Sequence, residues 1–265
     1  MMNRHKILLG LDRATWGYSI KKICEELNNN NLDGLEIQPE HPELFEKFPK
    51  IKKNILDLIQ SYNFKISIHA PIKDINISSY NPWIREKSIE ILLSTIDFAS
   101  EFDKIEYCLF HGGQNSFRSN SKFELKQRKV ALKRTIDVFK MLIKKCEDIG
   151  ITMGIENMTH SDFRMTSKIG YLQQIFSDPD LQNLKFIFDY EHGINYSARY
   201  SLRILRNFKD RLIAVHIGND FEKFKDIIPN SNLFIIIEPH HFYDDDKVFE
   251  NVVKVKNNLK KLFNR

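Results

Sequence analysis

Short apolar segments alternate with longer amphipathic segments along almost the whole chain. The apolar segments are rich in Ile, Leu and Phe and carry few polar residues on either face. Such segments are typical of strands that are covered on both sides, as in a parallel sheet. The pattern predicts strands over residues 6–12, 34–39, 65–70, 105–111, 151–156, 185–189, 212–216 and 233–238.

The amphipathic segments have the spacing of helices that cover a core with one face. In the clearest case, Ile89, Leu92, Leu93, Ile96 and Ala99 repeat at the i, i+3, i+4, i+7 interval. The predicted helices span residues 18–27 (with Ser19 as the N-cap), 42–62, 82–102, 123–149, 166–176, 197–208 and 244–263, with a shorter helix over 220–227.

Strands that alternate with helices predict an α/β protein built from right-handed βαβ units. About eight such units in roughly 250 residues is the size of a (β/α)8 barrel, the TIM-barrel architecture. The alternative is an open doubly wound sheet, which would need a glycine-rich phosphate turn after the first strand. Residues 11–16 contain no such turn, and the chain has only 10 glycines. We therefore expect residues 1–265 to form a single (β/α)8 barrel domain.

Composition limits the class of protein more than its function. The 265 residues are 42% hydrophobic, which is enough to build a large core and excludes wholesale disorder. No apolar run approaches the roughly 20 residues of a membrane-spanning helix. The 40 basic and 35 acidic side chains give a net charge of +5, which is compatible with nucleic acid binding but does not require it.

The N-terminal segment and the cysteines both indicate a cytoplasmic protein. The only apolar run near the N-terminus, residues 7–9, is too short for the core of a signal peptide. The three cysteines form no CxxC pair and leave an odd number, so we expect buried thiols in a reducing compartment.

The candidate chemistry lies at the ends of the predicted strands. In a (β/α)8 barrel the C-terminal ends of all strands meet at one face, where active sites form. A single His or Asp at a strand end is commonly just a hydrogen-bonded residue, but here six consecutive strands end in this way. Imidazoles and carboxylates that converge on one point are the usual ligands of divalent metals. The six strand-end residues are His69, His111, Glu156, Asp189, His216 and Glu238.

Further polar residues follow these strand ends. His192 is either a ligand or a donor to a substrate hydroxyl, and Asn157 stands directly after Glu156. Glu36 ends the second strand, where it would orient a ligand or take part in a buried ion pair. Asn219 and Asp220 follow His216, while His240 and His241 are weaker candidates.

As a set, these segments resemble the xylose isomerase-like TIM-barrel superfamily over roughly residues 6–238. The superfamily includes sugar and sugar-phosphate isomerases and epimerases, and also the endonuclease IV type of apurinic-site endonuclease. The matching segments are His69-Ala70-Pro71 with Ile75-Asn76-Ile77, His111-Gly112-Gly113, Glu156-Asn157, Asp189-x-x-His192, His216-x-x-Asn219-Asp220 and Glu238-Pro239.

The isomerase branch implies one divalent metal, Zn, Mn, Co or Mg, and a carbohydrate or sugar-phosphate substrate. By position, the metal ligands fall on Glu156, Asp189, His216 and Glu238. The resemblance also gives Glu156 and Glu238 the catalytic role of moving a proton beside a carbonyl through a metal-bound enediolate. Substrate-binding roles fall on His192, His69, His111 and Asn157.

The endonuclease branch implies a different activity for the same barrel mouth. There, His69 and His111 would join Glu156 around a second metal, and the substrate would be the phosphodiester of DNA. That branch uses an Asp-x-His pair after strand seven for a third metal, and residues 221–227 contain no such pair. We therefore expect an isomerase or epimerase, with a metal-dependent phosphodiesterase and a non-catalytic binding barrel as the alternatives.

Overall fold

A closed barrel of eight parallel strands forms the centre of the molecule. The computed structural model describes residues 5–45, 52–118, 121–218, 232–239 and 247–263. The predicted fold, a single (β/α)8 barrel, is confirmed. The strands are β1 (Lys6–Gly10), β2 (Gly34–Ile37), β3 (Lys65–His69), β4 (Cys108–Phe110), β5 (Met153–Glu156), β6 (Lys185–Asp189), β7 (Leu212–Ile217) and β8 (Phe234–Ile237).

Each strand pairs with its neighbours in chain order, and β1 closes the barrel against β8. Ile7 of β1 lies opposite Ile235 of β8 in this closing pair. Asp189 and His216 lie directly opposite each other where β6 and β7 pair. The register therefore brings two of the predicted ligands side by side at the end of the barrel.

The helices begin close to where the amphipathic pattern predicts them. The predicted helix over 42–62 is described as two helices, and the predicted helix over 220–227 lies outside the described residues. One short helix, directly after β6, was not expected. The helices are α1 (Ile20–Asn29), α2 (Pro42–Phe45), α3 (Lys52–Ser61), α4 (Pro82–Ala99), α5 (Lys122–Asp148), α6 (Ile169–Phe176), α7 (Tyr190–Ile194), α8 (Ala198–Phe208) and α9 (Val248–Phe263).

Side-chain caps define the first turn of several helices. Ser19 accepts a hydrogen bond from the Lys22 amide at the start of α1, as the sequence predicts. Ser121 and Glu124 form a reciprocal capping box at the start of α5. Such caps satisfy amides that have no partner within the helix, so these local signals fix where each helix begins.

The core has two layers, one between the helices and the barrel and one inside the barrel. The larger outer layer packs the apolar helix faces against the outward side chains of the strands. The inner layer contains Tyr107, Leu109, Ile187 and Ala214, all without solvent exposure. Alternation along the strands predicts an inward position for the last three, and the structure confirms it.

The described residues bear on two expectations, the absence of a membrane-spanning helix and the burial of the cysteines. None of their helices has the length and apolarity needed to cross a membrane. Cys24, Cys108 and Cys146 are buried and form no disulfide, as the sequence predicts.

Candidate metal centre

The strand-end histidines and carboxylates gather in one buried cluster at the C-terminal end of the barrel. Three sets of ligand atoms each lie within 4.8 Å of one another: His69 with His111 and Glu156, Glu156 with Asp189 and His192, and Asp189 with His216 and Glu238. Because the sets share members, the six strand ends and His192 form one continuous centre.

Glu156, at the end of β5, lies at the middle of the centre. Its Oε1 is 2.7 Å from Nδ1 of His192. Its Oε2 is 3.6 Å from Nε2 of His111 and 3.7 Å from Nδ1 of His216. The Glu156 side chain is 1% exposed, so imidazoles rather than water surround this carboxylate.

His216 has a carboxylate beside each of its ring nitrogens. Nδ1 is 2.9 Å from Oε1 of Glu238, on the side of the centre. Nε2 is 3.1 Å from Oε1 of Glu36, which is an ion pair although neither atom makes a hydrogen bond of ordinary geometry. Tyr107 and Ser67 hold Glu36 in turn, because their hydroxyls donate to its Oε2 at 2.7 and 3.2 Å. His216 therefore presents Nδ1 to the centre and Nε2 to a buried carboxylate.

Asp189 ends β6 and also begins α7. Its Oδ1 accepts a hydrogen bond of 2.8 Å from the backbone amide of His192, which caps the short helix. Its Oδ2 is 3.2 Å from Nδ1 of His192. The helix that the pattern did not predict exists because this cap turns the chain directly after the strand, and it brings His192 into the centre.

Asn157 links the ends of β5 and β6. Its Nδ2 donates to the Asp189 carbonyl at 2.7 Å, and its Oδ1 accepts from the Asp189 amide at 2.9 Å. The side chain is fully buried. Asn157 thus fixes the position of Asp189, while its contact with a substrate stays a prediction.

His69 and His111 form the side of the centre nearest β3 and β4. Nδ1 of His69 donates to the Ala70 carbonyl at 2.9 Å, which leaves Nε2 as the acceptor. That Nε2 is 3.1 Å from Nε2 of His111. Both rings therefore turn a nitrogen toward Glu156, in the arrangement that a second cation would need.

The charges of the buried groups depend strongly on one another. Burial acts to raise the pKa of Glu156, but the imidazoles of His111 and His216 outweigh it and hold the pKa well below its usual range. Burial raises the pKa of Asp189 to about 7. Burial acts to lower the pKa of His192, but the carboxylates of Asp189 and Glu156 raise it to about 10.

The pKa values of His216 and His111 move in opposite directions. For His216, the carboxylates of Glu36 and Glu238 outweigh the effect of burial and raise the pKa well above its usual value. Burial lowers the pKa of His111 to about 3, so this ring is neutral and free to bind a cation. Strong perturbations of this kind are typical of functional sites.

The donor set fits a divalent cation. Both carboxylate oxygens of Glu156 and Oδ2 of Asp189 are buried and make no hydrogen bond of ordinary geometry, although imidazole nitrogens lie 2.7 to 3.7 Å from them. A buried carboxylate oxygen without a donor is costly unless a cation lies beside it. Oxygen and imidazole nitrogen donors together suit Zn²⁺, Mn²⁺, Co²⁺ or Mg²⁺.

The structure does not describe four of the residues that the sequence offered as candidates. Asn219, Asp220, His240 and His241 lie outside the described residues. Reasoning from the sequence missed the role of Tyr107 as a donor to Glu36. Tyr107 lies two residues before Leu109 and four before His111, so the alternation of side chains along the strand places all three on the same face.

Comparison with known proteins places this geometry among related barrels. The model of the family described as "Xylose isomerase-like TIM barrel" matches residues 24–223. Uncharacterized protein MJ1311 of Methanocaldococcus jannaschii is 27% identical over 226 residues, which cover 83% of this chain and 74% of that protein.

Two solved structures illustrate how far the likeness of fold extends. A D-tagatose 3-epimerase-like protein superposes with a TM-score of 0.76 and 24% identity, covering 98% of this chain and 97% of the other. The IolI protein with a bound zinc atom superposes with a TM-score of 0.71 and 11% identity, covering 97% and 98%. At these identities the likeness shows a common fold.

Proposed function

The chain belongs to the xylose isomerase-like TIM barrel family, and from that premise we propose that it is a divalent-metal-dependent isomerase or epimerase of sugars or sugar phosphates. The observation that carries this proposal is the buried set of Glu156, Asp189, His216 and Glu238, whose ligand atoms lie close together and in which three carboxylate oxygens make no hydrogen bond of ordinary geometry. The likeness to a D-tagatose 3-epimerase-like protein and to zinc-bound IolI supports it.

These four residues would hold the cation. When bound, the cation supplies an electrophile that polarises a substrate carbonyl and its neighbouring hydroxyl and stabilises the negative charge that develops there. The strand ends that carry the four residues are fixed by the barrel register, so the protein provides the ligand positions before the substrate arrives.

Glu156 and Glu238 are proposed to move the proton. One carboxylate removes a proton from the carbon beside the carbonyl, and the other, in its protonated form, returns a proton to the opposite face or to the neighbouring carbon. His216 lies between the two, 2.9 Å from Oε1 of Glu238 and 3.7 Å from Oε2 of Glu156.

His192, His69 and His111 are proposed to orient the substrate hydroxyls. His192 is the most exposed of the imidazoles in the centre, at 23% of its side chain, and so faces the space a substrate would enter. Its backbone is anchored by the α7 cap, so the ring has a defined position.

The decisive experiment measures metal content and proton exchange together. Purified protein is analysed for bound metal, then incubated in D2O with a panel of ketoses, aldoses and their phosphates in the presence of Mn²⁺, Co²⁺, Mg²⁺ or Zn²⁺. We expect isomer formation with solvent deuterium at the reacting carbon, lost in Glu156→Gln and Glu238→Gln. Glu90→Gln is the matched control, because Glu90 is exposed and pairs with Lys87 on the outer face of α4. Absence of conversion across the panel, with metal bound, rules the proposal out.

A second candidate is a metal-dependent phosphodiesterase. The specific observation in its favour is the cluster of His69, His111 and Glu156, which offers a second cation site beside the first. Two close cations suit hydrolysis of a phosphodiester. Nicking of an abasic duplex with Zn²⁺ or Mn²⁺, lost in Glu156→Ala, would favour this activity over the first.

A further inference from the structure

A cavity of about 290 Å³ lies beside the candidate metal centre, among the loops that follow β3, β4 and β5. His111 forms part of its wall, so the cavity and the centre share a side chain. Apolar residues such as Ile75 and Met158 line much of the remainder. At the small end of the range for ligand sites, about 300–1,000 Å³, it suits one group of a small molecule rather than a polymer.

The charged side chains that line this cavity are both basic. Arg164 and Lys73 contribute to its wall, and no acidic residue of the described chain does. The amide of Gln114 adds a neutral polar group. A small molecule in this space would therefore meet positive charge and hydrogen-bond donors.

Arg164 has no partner for its charge among the residues that the structure describes. Within the ranges that the structure describes, its guanidinium makes no ion pair and no hydrogen bond, and it is half-buried. Burial lowers its pKa, and the positive charge of Arg118 lowers it further, with no carboxylate acting in the opposite direction. Removing a guanidinium from water without a partner costs free energy that an anion would offset.

Two other cations near this rim share one counter-charge. Arg128 and Lys168 both pair with the carboxylate of Asp162. Lys73 is exposed, its ammonium lies 5.4 Å from the centre of the Trp16 ring, and it makes no ion pair within the described residues. Of these four cations, only Arg164 and Lys73 lack a counter-charge among the described residues. These two are also the ones that line the cavity.

We propose that this cavity binds the phosphate group of a phosphorylated sugar whose reacting carbons lie at the metal centre. The inference rests on the proposed function and narrows its substrate class. A phosphate monoester carries close to two negative charges at neutral pH and three acceptor oxygens. The planar guanidinium of Arg164 offers it two parallel donors, and Lys73 adds a point charge at the more exposed side.

Direct binding of inorganic phosphate tests the site without requiring turnover. The wild-type protein is titrated by calorimetry at constant ionic strength, beside Arg164→Gln, Lys73→Gln and Arg203→Gln. Arg203 is the matched control, since it is exposed on α8 and its loss changes the net charge equally. We expect saturable binding that weakens about tenfold or more in Arg164→Gln, less in Lys73→Gln, and not in Arg203→Gln.

Two results overturn the proposal. The first is the absence of saturable binding by the wild-type protein. The second is binding that is equal in wild type and Arg164→Gln but disappears after metal removal, because that phosphate is bound by the cation. Should Arg164→Gln fail to fold, the exposed Lys73→Gln and the conservative Arg164→Lys give the same comparison.

Matched pairs of sugars separate this inference from the proposed function. A sugar phosphate and its unphosphorylated form are compared by kcat/KM, and Arg164→Gln should reduce the preference for the phosphate form. Phosphate binding that depends on Arg164, without turnover of any sugar, supports the cavity and counts against the isomerase. Turnover of free sugars without any phosphate binding supports the isomerase and overturns the inference about the cavity.

Discussion

Replacing Glu36 by Gln removes one buried charge behind His216 while keeping the shape of the side chain. In the wild-type protein, Tyr107 and Ser67 donate to one carboxylate oxygen and His216 faces the other at 3.1 Å. The amide oxygen of the introduced glutamine would keep the two hydroxyl donors, so its NH2 group would face His216. A donor in that position favours an imidazole with its proton on Nδ1, the nitrogen that a cation needs.

The expected loss of metal affinity follows from this change of tautomer and charge. Carboxylates behind a ligating histidine typically contribute 10- to 100-fold to metal affinity, or about 1.4–2.7 kcal/mol. A hydrogen bond or ion pair to a charged group, at about 1.5–3 kcal/mol, gives a similar figure. We therefore expect the Kd for Mn²⁺ or Zn²⁺ to rise about 10- to 100-fold. Tyr107→Phe removes only one donor to Glu36, so its effect should be a few-fold.

Competition with a metal-sensitive dye measures these affinities, and Glu90→Gln is the control for loss of one exposed carboxylate. Urea unfolding of the metal-free variants separates a change of affinity from a change of stability. Equal affinities in Glu36→Gln and Glu90→Gln would refute the reasoning, because they would mean that the buried carboxylate does not set the state of His216.

Four further predictions concern the stability of the fold and the burial of its side chains. Asn157→Ala leaves the amide and carbonyl of Asp189 without their partners, so the free energy of unfolding in urea should fall by about 2–4 kcal/mol; an unchanged midpoint would contradict this. Gly34→Ala would place a Cβ 1.9 Å from the carbonyl oxygen of Lys65 and should cost about 1–3 kcal/mol. Gly170→Ala, where nothing lies within 4 Å of the new atom, should be neutral or stabilising by up to about 1 kcal/mol. Burial raises the pKa of Cys24 and Cys146 to about 12, whereas unfolded thiols ionise near pH ~8.5. Their contribution to stability is therefore complete below about pH 8.5 and is lost as the pH rises toward about 12, and iodoacetamide at about pH 8.5 should label them only after unfolding; rapid labelling of the native protein would contradict their burial.

The sequence predicts the barrel well because each element depends mainly on its own residues. Strand positions follow from runs such as residues 185–189, where prediction and structure agree to the residue. The start of α1 follows from its cap, Ser19. The strand ends converge in any (β/α)8 barrel, so the gathering of Glu156 with its neighbours needs no knowledge of side-chain contacts.

Features that depend on contacts between distant strands could not be predicted in the same way. The pairing of Glu36 with His216 and Tyr107 joins β2 to β7 and to the residue before β4. Only the register of the closed barrel brings these together. The predicted helix over 166–176 begins at Ile169 instead, because Ser167 hydrogen-bonds to the carbonyls of Ser161 and Arg164 and holds an irregular turn.

The two oxygens of Asp189 constrain how this protein can diverge. One caps α7 and the other faces the candidate centre, so a single residue both holds the backbone turn and belongs to the candidate ligand set. Asn would keep the cap but replace a charged ligand, and Glu would keep the charge but move its oxygens away from the cap. Neither substitution keeps both contacts, and a change that breaks the cap would also displace His192, so position 189 links two side chains of the candidate centre.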